Sequence, residues 1–153
     1  MEATTHVALQ NALRGFYMNS QRILEKLCEA RGVSLTKIRL MVFIENQGWT
    51  RSADIIGAFS LAPRTITEAI DTLEKDGLAH RTPDPEDRRV KRVSLTANGK
   101  DILAEFALIR DRFAADLFNT LNNEEEKALT TLVQRLNIRL SEIDGKVIIK
   151  SYK

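Results

Sequence analysis

Residues 80–95 read HRTPDPEDRRVKRVSL, and this stretch decides the fold of the chain. The two prolines and three acids at residues 83–87 are typical of a turn, because proline fixes φ and aspartate side chains bond to nearby backbone. The side chains of residues 90, 92 and 94 alternate with those of residues 91, 93 and 95, which is the two-residue period of a strand. We therefore predict a β-hairpin with a charged tip over residues 78–95.

Positive charge is concentrated in this hairpin. From His80 to Arg92 there are five Lys or Arg and three Asp or Glu, a net charge of +2 that equals that of the whole chain. Guanidinium groups on a protruding loop suit the minor groove of DNA, where the potential is most negative. The candidate DNA contacts of the hairpin are Arg88, Arg89 and Lys91. Asp84 or Asp87 could pair with Arg89 and hold the turn in shape, which would leave Arg88 free. The alternative is a solvated β-turn with local ion pairs.

A helix-turn-helix is predicted directly before the hairpin. Ser52 can cap a short first helix, and Pro63 suits the first turn of a second helix, which ends at Gly77. In a helix-turn-helix the second helix enters the major groove with its N-terminus first. Its DNA-facing candidates are Arg64, Thr65, Thr67 and Glu68. The alternative is a surface helix with a mixed polar face.

Long amphipathic helices flank this middle segment. Apolar residues recur at steps of three and four over about residues 6–31, and again from Leu35 to a break at residues 46–48. Thr96 can cap a long later helix, and Asn122 with Glu125 forms a capping box for the last one. The terminal apolar stripes need a covering surface, which in so small a domain is often a second copy of the chain. We predict one domain, with residues 35–96 as the DNA-binding lobe and residues 1–34 and 97–153 as the dimerisation region.

The composition excludes several other classes of protein. The chain has 153 residues, of which 43% are hydrophobic and 29% charged, and this favours one globular domain over a disordered chain. The longest apolar run, residues 40–44, is far shorter than the roughly 20 residues that span a bilayer. The N-terminus lacks the pattern of a signal peptide, and a single cysteine fits a reducing compartment. A cytoplasmic protein that does not cross a membrane is expected.

No catalytic or metal-binding motif is found in the sequence. A nucleophile elbow, a phosphate-binding loop and a zinc-protease helix are all missing. The two histidines and the one cysteine are too far apart in sequence to indicate a zinc site or a Cys-His dyad. We therefore expect no catalytic residues, no metal and no cofactor, and we interpret Cys28 as a structural residue rather than an oxidant sensor.

The hairpin and its surroundings resemble the MarR family of winged helix-turn-helix transcription regulators. The resemblance rests on Asp84–Arg89 at the wing tip, Val93–Gly99 after it, Leu73–Leu78 before it, and the Leu35-Thr36 pair. It implies a mainly α-helical fold with a small β-hairpin wing and long terminal dimerisation helices. It also implies a homodimer that binds palindromic double-stranded DNA as a repressor, released by a small, often aromatic or phenolic, ligand or by an oxidant.

Two positions depart from the family pattern. Glu68 stands where an arginine is common, and Arg39 stands where a glutamine is common. Base contacts are therefore expected to rest more on Arg64 and Thr65.

The effector pocket is expected between the dimerisation helices and the lobe. The residues that could line it are Arg14, Tyr17, Arg39 and Trp49. The alternative for each is an ordinary place at the core edge or on the surface. Two other functions remain open on sequence alone: a winged-helix module that docks to proteins, and a small-ligand-binding protein without DNA binding.

Overall fold

A computed structural model describes residues 2–59 and 61–143, with side chains from residue 5 onward. Within these residues the helices are α1 Glu2–Glu29, α2 Leu35–Gln47, α3 Ser52–Ala58, α4 Pro63–Lys75, α5 Ala97–Phe118 and α6 Asn123–Ile143. The strands are β1 Thr50–Arg51, β2 Ala79–Pro83 and β3 Lys91–Leu95. This mainly helical fold with a small wing confirms the predicted fold class.

The hairpin forms where the sequence predicted it, but its sheet has a third strand. Strands β2 and β3 pair antiparallel, with Arg81 opposite Val93 and Pro83 opposite Lys91. Strand β1 joins the other edge of β3, with Arg51 opposite Arg92, so the strand order is β1-β3-β2. The wing is therefore tied to the segment between α2 and α3.

Helix α4 begins and ends at the residues that the sequence indicated. Pro63 is its first residue, where a missing N–H costs nothing. At its other end Gly77 adopts a φ of 70°, which other residues rarely do, and the Leu78 N–H donates to the Leu73 carbonyl at 2.8 Å. This Schellman arrangement turns the chain directly into β2.

The predicted cap of α3 is wrong by one residue. Ser52 is already helical, and Arg51 holds the N-cap position with φ −86° and ψ 148° and no capping side-chain bond. Arg51 pairs with β3, so its extended backbone precedes the helix. The predicted caps of α5 and α6 are confirmed: Thr96 Oγ1 accepts from the Gly99 N–H at 3.0 Å, and Asn122 Oδ1 accepts from the Glu125 N–H at 3.0 Å.

The main core lies between α2, α3, α4 and the sheet. Its fully buried side chains are Leu40, Met41, Ile44, Ile55, Ile66, Ile70, Leu73 and Val93. Burial of a large aliphatic side chain contributes about 1.5–3 kcal/mol, so this cluster fixes how α4 and the wing are held. A smaller cluster joins Cys28, Val33, Leu35 and Ile38 at the start of α2.

The chain divides into two compact units, Met1–Arg110 and Asp111–Lys153. The first contains the winged helix and α1, and the second contains α6. Every residue of α6 is exposed within the single chain. None of the helices in the described ranges is long and apolar enough to cross a membrane. The division into residues 35–96 and two flanking dimerisation segments stays a prediction.

Candidate nucleic-acid interface

The first turns of α4 present two oppositely charged side chains that pair with each other. Arg64 Nε donates to Glu68 Oε1 at 2.7 Å, one helical turn further along. The Arg64 side chain is 89% exposed and that of Glu68 is 62% exposed. Because Nε is engaged, the two terminal nitrogens of Arg64 are the donors left for a ligand.

The threonines of α4 differ in what their hydroxyl groups can do. The Thr67 hydroxyl donates to the Pro63 carbonyl at 3.0 Å, and the Thr72 hydroxyl donates to the Glu68 carbonyl at 2.7 Å. The Thr65 side chain is exposed and makes no hydrogen bond with the residues described. Thr65 can therefore donate or accept toward a ligand, whereas Thr67 offers only its methyl group and its oxygen lone pairs.

The acids near the other end of α4 are neutralised by a residue of the wing. Arg81, on β2, donates from Nη2 to Asp71 Oδ1 at 2.5 Å and from Nη1 to Glu74 Oε2 at 2.6 Å. Burial alone would lower the pKa of the Arg81 guanidinium, but the hydrogen bonds to Asp71 and Glu74 outweigh it and the pKa is raised. These two bonds join α4 to the neighbouring strand β2.

A buried carboxylate organises the wing. Asp84 is fully buried and accepts from the Glu86 N–H at 2.9 Å and from Arg92 Nε at 2.9 Å. Arg51 Nη2 lies 3.6 Å from the same carboxylate. The hydrogen bond from Arg92 is the main cause that lowers the pKa of Asp84 to about 2, and the backbone bond from Glu86 adds to it. Asp84 therefore stays charged at neutral pH.

The expected ion pair of Asp84 or Asp87 with Arg89 is wrong, because Asp84 pairs with Arg92 on the facing strand. The side chain of Asp87 instead accepts the backbone N–H of Arg89 at 3.0 Å, which shapes the turn without using the guanidinium. The side chains of Arg88, Arg89 and Lys91 are exposed and have no ion pair among the described residues. The predicted basic contacts of the wing are therefore placed together and available to a polyanion.

Sequence reasoning missed the contact that joins the wing base to the end of α2. The guanidinium carbon of Arg92 lies 3.7 Å from the centre of the Trp49 ring, a cation–π stack. Trp49 lies between α2 and β1, two residues after the last residue of α2. The sequence did offer a signal, since a lone tryptophan stands next to a helix end and basic residues occur in a nearby strand. This signal did not show that Arg92 is the residue that stacks on Trp49.

The residues predicted for the effector pocket are not brought together. Arg39 lines a hollow of about 270 Å³ with Leu24, Ile38, Val42, Phe106 and Arg110, among others, and its Nη2 donates to Gln21 Oε1. Trp49 lines a separate hollow of about 380 Å³ with Phe43 and Asp54. Arg14 and Tyr17 are exposed on α1 and line neither hollow.

Cys28 is buried at the end of α1. Burial is the main cause that raises the pKa of its thiol, and the nearby charge of Glu25 adds to the effect. A protonated, covered thiol is a poor nucleophile. In the part of the chain that the structure covers, no group of His, Cys, Asp and Glu could hold a metal ion.

Comparisons with known proteins agree with this geometry. The family model described as MarR family matches residues 33–91. The chain is 26% identical over 132 residues to the HTH-type transcriptional regulator YhbI of Bacillus subtilis, a match that covers 86% of each chain. A MarR-like transcription regulator from Bacillus cereus has a TM-score of 0.78 at 21% identity, covering 90% of this chain and 99% of that one.

A crystal structure of an Escherichia coli MarR mutant complexed with operator DNA has a TM-score of 0.71 at 19% identity, and covers 86% of this chain and 95% of that one. The matched residues 33–91 run from just before α2 to the first residue of β3, and they include the exposed helix α4 and the basic turn. Residues 33–91 therefore match the MarR family, and the described residues share the fold of the MarR-like regulator from B. cereus.

Proposed function

We propose that this protein binds a pseudo-palindromic double-stranded DNA site as a homodimer and acts as a cytoplasmic repressor. The observation that carries the proposal is the arrangement of one lobe: an exposed Arg64 and Thr65 at the start of α4, and the exposed Arg88, Arg89 and Lys91 on the wing. The complex of the similar E. coli protein with operator DNA supports the same function. Residues 35–96 are the reading lobe in this proposal, and the flanking segments join the two copies.

The two DNA-facing elements have different roles. The N-terminal turns of a helix fit the major groove, where each base pair shows a distinct pattern of donors and acceptors, so Arg64, Thr65 and Thr67 read base edges. The wing tip reaches the minor groove, whose pattern is degenerate, so Arg88 and its neighbours supply attraction to phosphates and to narrow A·T-rich segments. The two lobes of the dimer lie about 34–36 Å apart, one turn of DNA.

Apolar surface that is exposed in the single chain supports the proposed dimer. The stripe on α6 is exposed at Leu129, Leu132, Val133, Leu136 and Leu140. On α1 a second stripe is exposed at Leu9 and Leu13. Surfaces of this kind on two long helices suit an obligate interface, which typically buries more than about 2,000 Å². A second copy supplies the same stripes, so symmetry lets each cover the other.

A matched pair of α6 variants tests the dimer. Leu132 lies in the stripe, whereas Ile138 is 63% exposed on the opposite face of the helix. We expect light scattering at micromolar concentration to give a dimer for the wild type and for Ile138→Arg, but a monomer or insoluble protein for Leu132→Arg. A wild-type monomer contradicts the proposed dimer.

A gel-shift titration against duplex DNA at two salt concentrations tests the DNA binding. Each phosphate contact contributes about −0.9 to the slope of log affinity against log salt. Arg88→Ala should reduce that slope by about one and weaken binding to every sequence. Lys127→Ala on α6 removes one exposed cation outside the lobe and should leave the slope unchanged. The absence of salt-dependent duplex binding favours the protein-docking module or the ligand-binding protein instead.

We further infer that a small aromatic or phenolic ligand releases the DNA from the hollow beside Arg39. The hollow is lined mainly by apolar side chains, with the side chains of Arg39 and Arg110 among them, a combination that suits an aromatic ring with an acidic substituent. A ligand there biases the spacing of the two lobes. Salicylate is a suitable probe: it should release wild-type protein from DNA and should require a higher concentration for Arg39→Ala. No release at millimolar salicylate argues against this part of the proposal.

A further inference from the structure

Glu68 is the acid nearest to the DNA-facing end of α4, which makes it an unusual residue for a recognition helix. A free carboxylate there repels phosphates, and of the base edges in the major groove only the cytosine amine or the adenine amine could donate to it. In this protein the carboxylate is engaged, because Oε1 accepts from Arg64 Nε at 2.7 Å. Glu68 therefore acts on DNA through Arg64.

The pairing decides which nitrogens of Arg64 face outward. A guanidinium carries one donor on Nε and two on each terminal nitrogen, in a planar fork. With Nε bound to a carboxylate of the same helix, the fork is left with its two terminal nitrogens, which make no hydrogen bond within the described ranges. The ion pair also restricts a side chain that is otherwise 89% exposed. The ion pair therefore favours an orientation in which Arg64 contacts a ligand end-on, that is, through both terminal nitrogens together.

Two parallel donors match one base. In the major groove guanine presents two acceptors, O6 and N7, whereas adenine and thymine present one acceptor each beside a donor or a methyl group, and cytosine presents a donor. The pair is also neutral as a whole, so it adds little to the attraction that all DNA sequences share. Its contribution is therefore selective for one base and only weakly dependent on salt.

We propose that Glu68 is a specificity-determining residue that positions Arg64 to read a guanine through its two terminal nitrogens. The proposal rests on the DNA binding proposed above and adds one base to the site: each half-site holds a guanine opposite the start of α4. Glu68 is a positioning residue here, since it contacts Arg64 and not the base.

Selection of duplexes from a random library, with purified wild-type protein, tests this proposal. We expect one guanine at a fixed place in each half-site. Replacing that guanine by 7-deazaguanine removes the N7 acceptor and should weaken wild-type binding about tenfold, the usual order for a bidentate base contact. The same replacement should have little effect on Glu68→Ala, because an unsupported Arg64 no longer holds the end-on geometry.

The conservative variant Glu68→Gln distinguishes the positioning of Arg64 from the effect of the negative charge of Glu68. Glu68→Gln keeps an oxygen that can accept from Nε but loses the negative charge, so it should retain most of the sensitivity to 7-deazaguanine and bind all sequences more tightly. Glu126→Gln, at an exposed position on α6, makes the same change of charge outside the lobe and should leave both properties unchanged. Far-ultraviolet circular dichroism checks that each variant is folded.

The outcomes also separate this inference from the function on which it rests. If no salt-dependent duplex binding occurs, both are wrong. If the protein binds duplexes with a steep salt slope but the selected sites share no guanine, or if Glu68→Ala keeps the full sensitivity to 7-deazaguanine, the DNA-binding function stands and the role of Glu68 is wrong.

Discussion

Gly99, in the first turn of α5, should not tolerate a methyl group. A Cβ built on Gly99 would lie 2.1 Å from the Leu78 carbonyl oxygen and 3.1 Å from its carbonyl carbon, and both atoms belong to the backbone that begins the wing. The same oxygen accepts the Thr96 N–H at 3.0 Å. Relief of the clash requires α5 to move away from Leu78 by about 1 Å, the shortfall from ordinary contact distance, and this weakens that hydrogen bond.

The expected cost of Gly99→Ala combines these two effects. Overpacking a closed site costs about 1–3 kcal/mol and loss of a net hydrogen bond costs about 1 kcal/mol, so unfolding free energy should fall by about 2–4 kcal/mol. Helix propensity alone predicts the opposite, a gain of up to about 1 kcal/mol. Gly57, in α3, has no atom within 4 Å of its built Cβ and is the matched control, for which we expect that small gain.

Urea denaturation followed by circular dichroism, at one fixed protein concentration, measures both variants. The approach of α5 to Leu78 is supported if Gly99→Ala is destabilised and Gly57→Ala is not. If Gly99→Ala is as stable as the wild type, with the same dependence on urea, the close approach is refuted.

Three further predictions concern the wing base and Cys28. Trp49 is the only tryptophan of the chain, so Arg92→Ala, which removes the stacked guanidinium, should shift its fluorescence emission and weaken DNA binding; an unchanged spectrum contradicts the stack. Because the pKa of Asp84 is depressed to about 2, its charge stabilises the folded state above pH 3.8 and loses this effect as pH falls toward 2. The gap in stability between wild type and Asp84→Asn should thus be constant from about pH 5 to 7 and narrow below about pH 4, and a gap that widens in acid rejects this assignment. Finally, the buried thiol of Cys28 should react slowly with a disulfide reagent in native protein, and peroxide should leave DNA affinity unchanged; a loss of affinity that disappears in Cys28→Ser makes Cys28 a sensor.

Features with a local signal were predictable from the sequence. The capping box at Asn122 needs only residues within three positions, and the Asn122 N–H indeed donates to Glu125 Oε2 at 2.9 Å. The start of α4 at Pro63 and the wing turn depend on the preferences of neighbouring residues in the same way. The winged helix-turn-helix arrangement of α3, α4 and the β2–β3 hairpin then follows from their order in the chain, because these elements are short and each adjoins the next.

Features that depend on distant residues were not predictable. Strand β1 has two residues, too few for an alternating pattern, and exists because β3 offers a free edge. The partner of Asp84 is Arg92 rather than Arg89 because antiparallel pairing brings β3 back beside the end of β2. The Arg64–Glu68 pair has the right spacing for a helix, yet spacing alone did not distinguish a supporting carboxylate from a repelling one.

The two bonds of Arg81 limit which DNA sites the proposed complex can accept. Because one guanidinium bonds to both Asp71 and Glu74, we expect α4 and β2 to be restrained relative to each other. In the DNA complex proposed above, the base contacted by α4 and the minor groove contacted by the wing should therefore lie a constant distance apart. An extra base pair inserted between those two places shifts one against the other by about 3.4 Å and turns it around the DNA axis, which this lobe cannot follow. Among natural sites for this protein, the number of base pairs between the two half-sites should therefore vary more than the number within one half-site that separates the α4 contact from the wing contact.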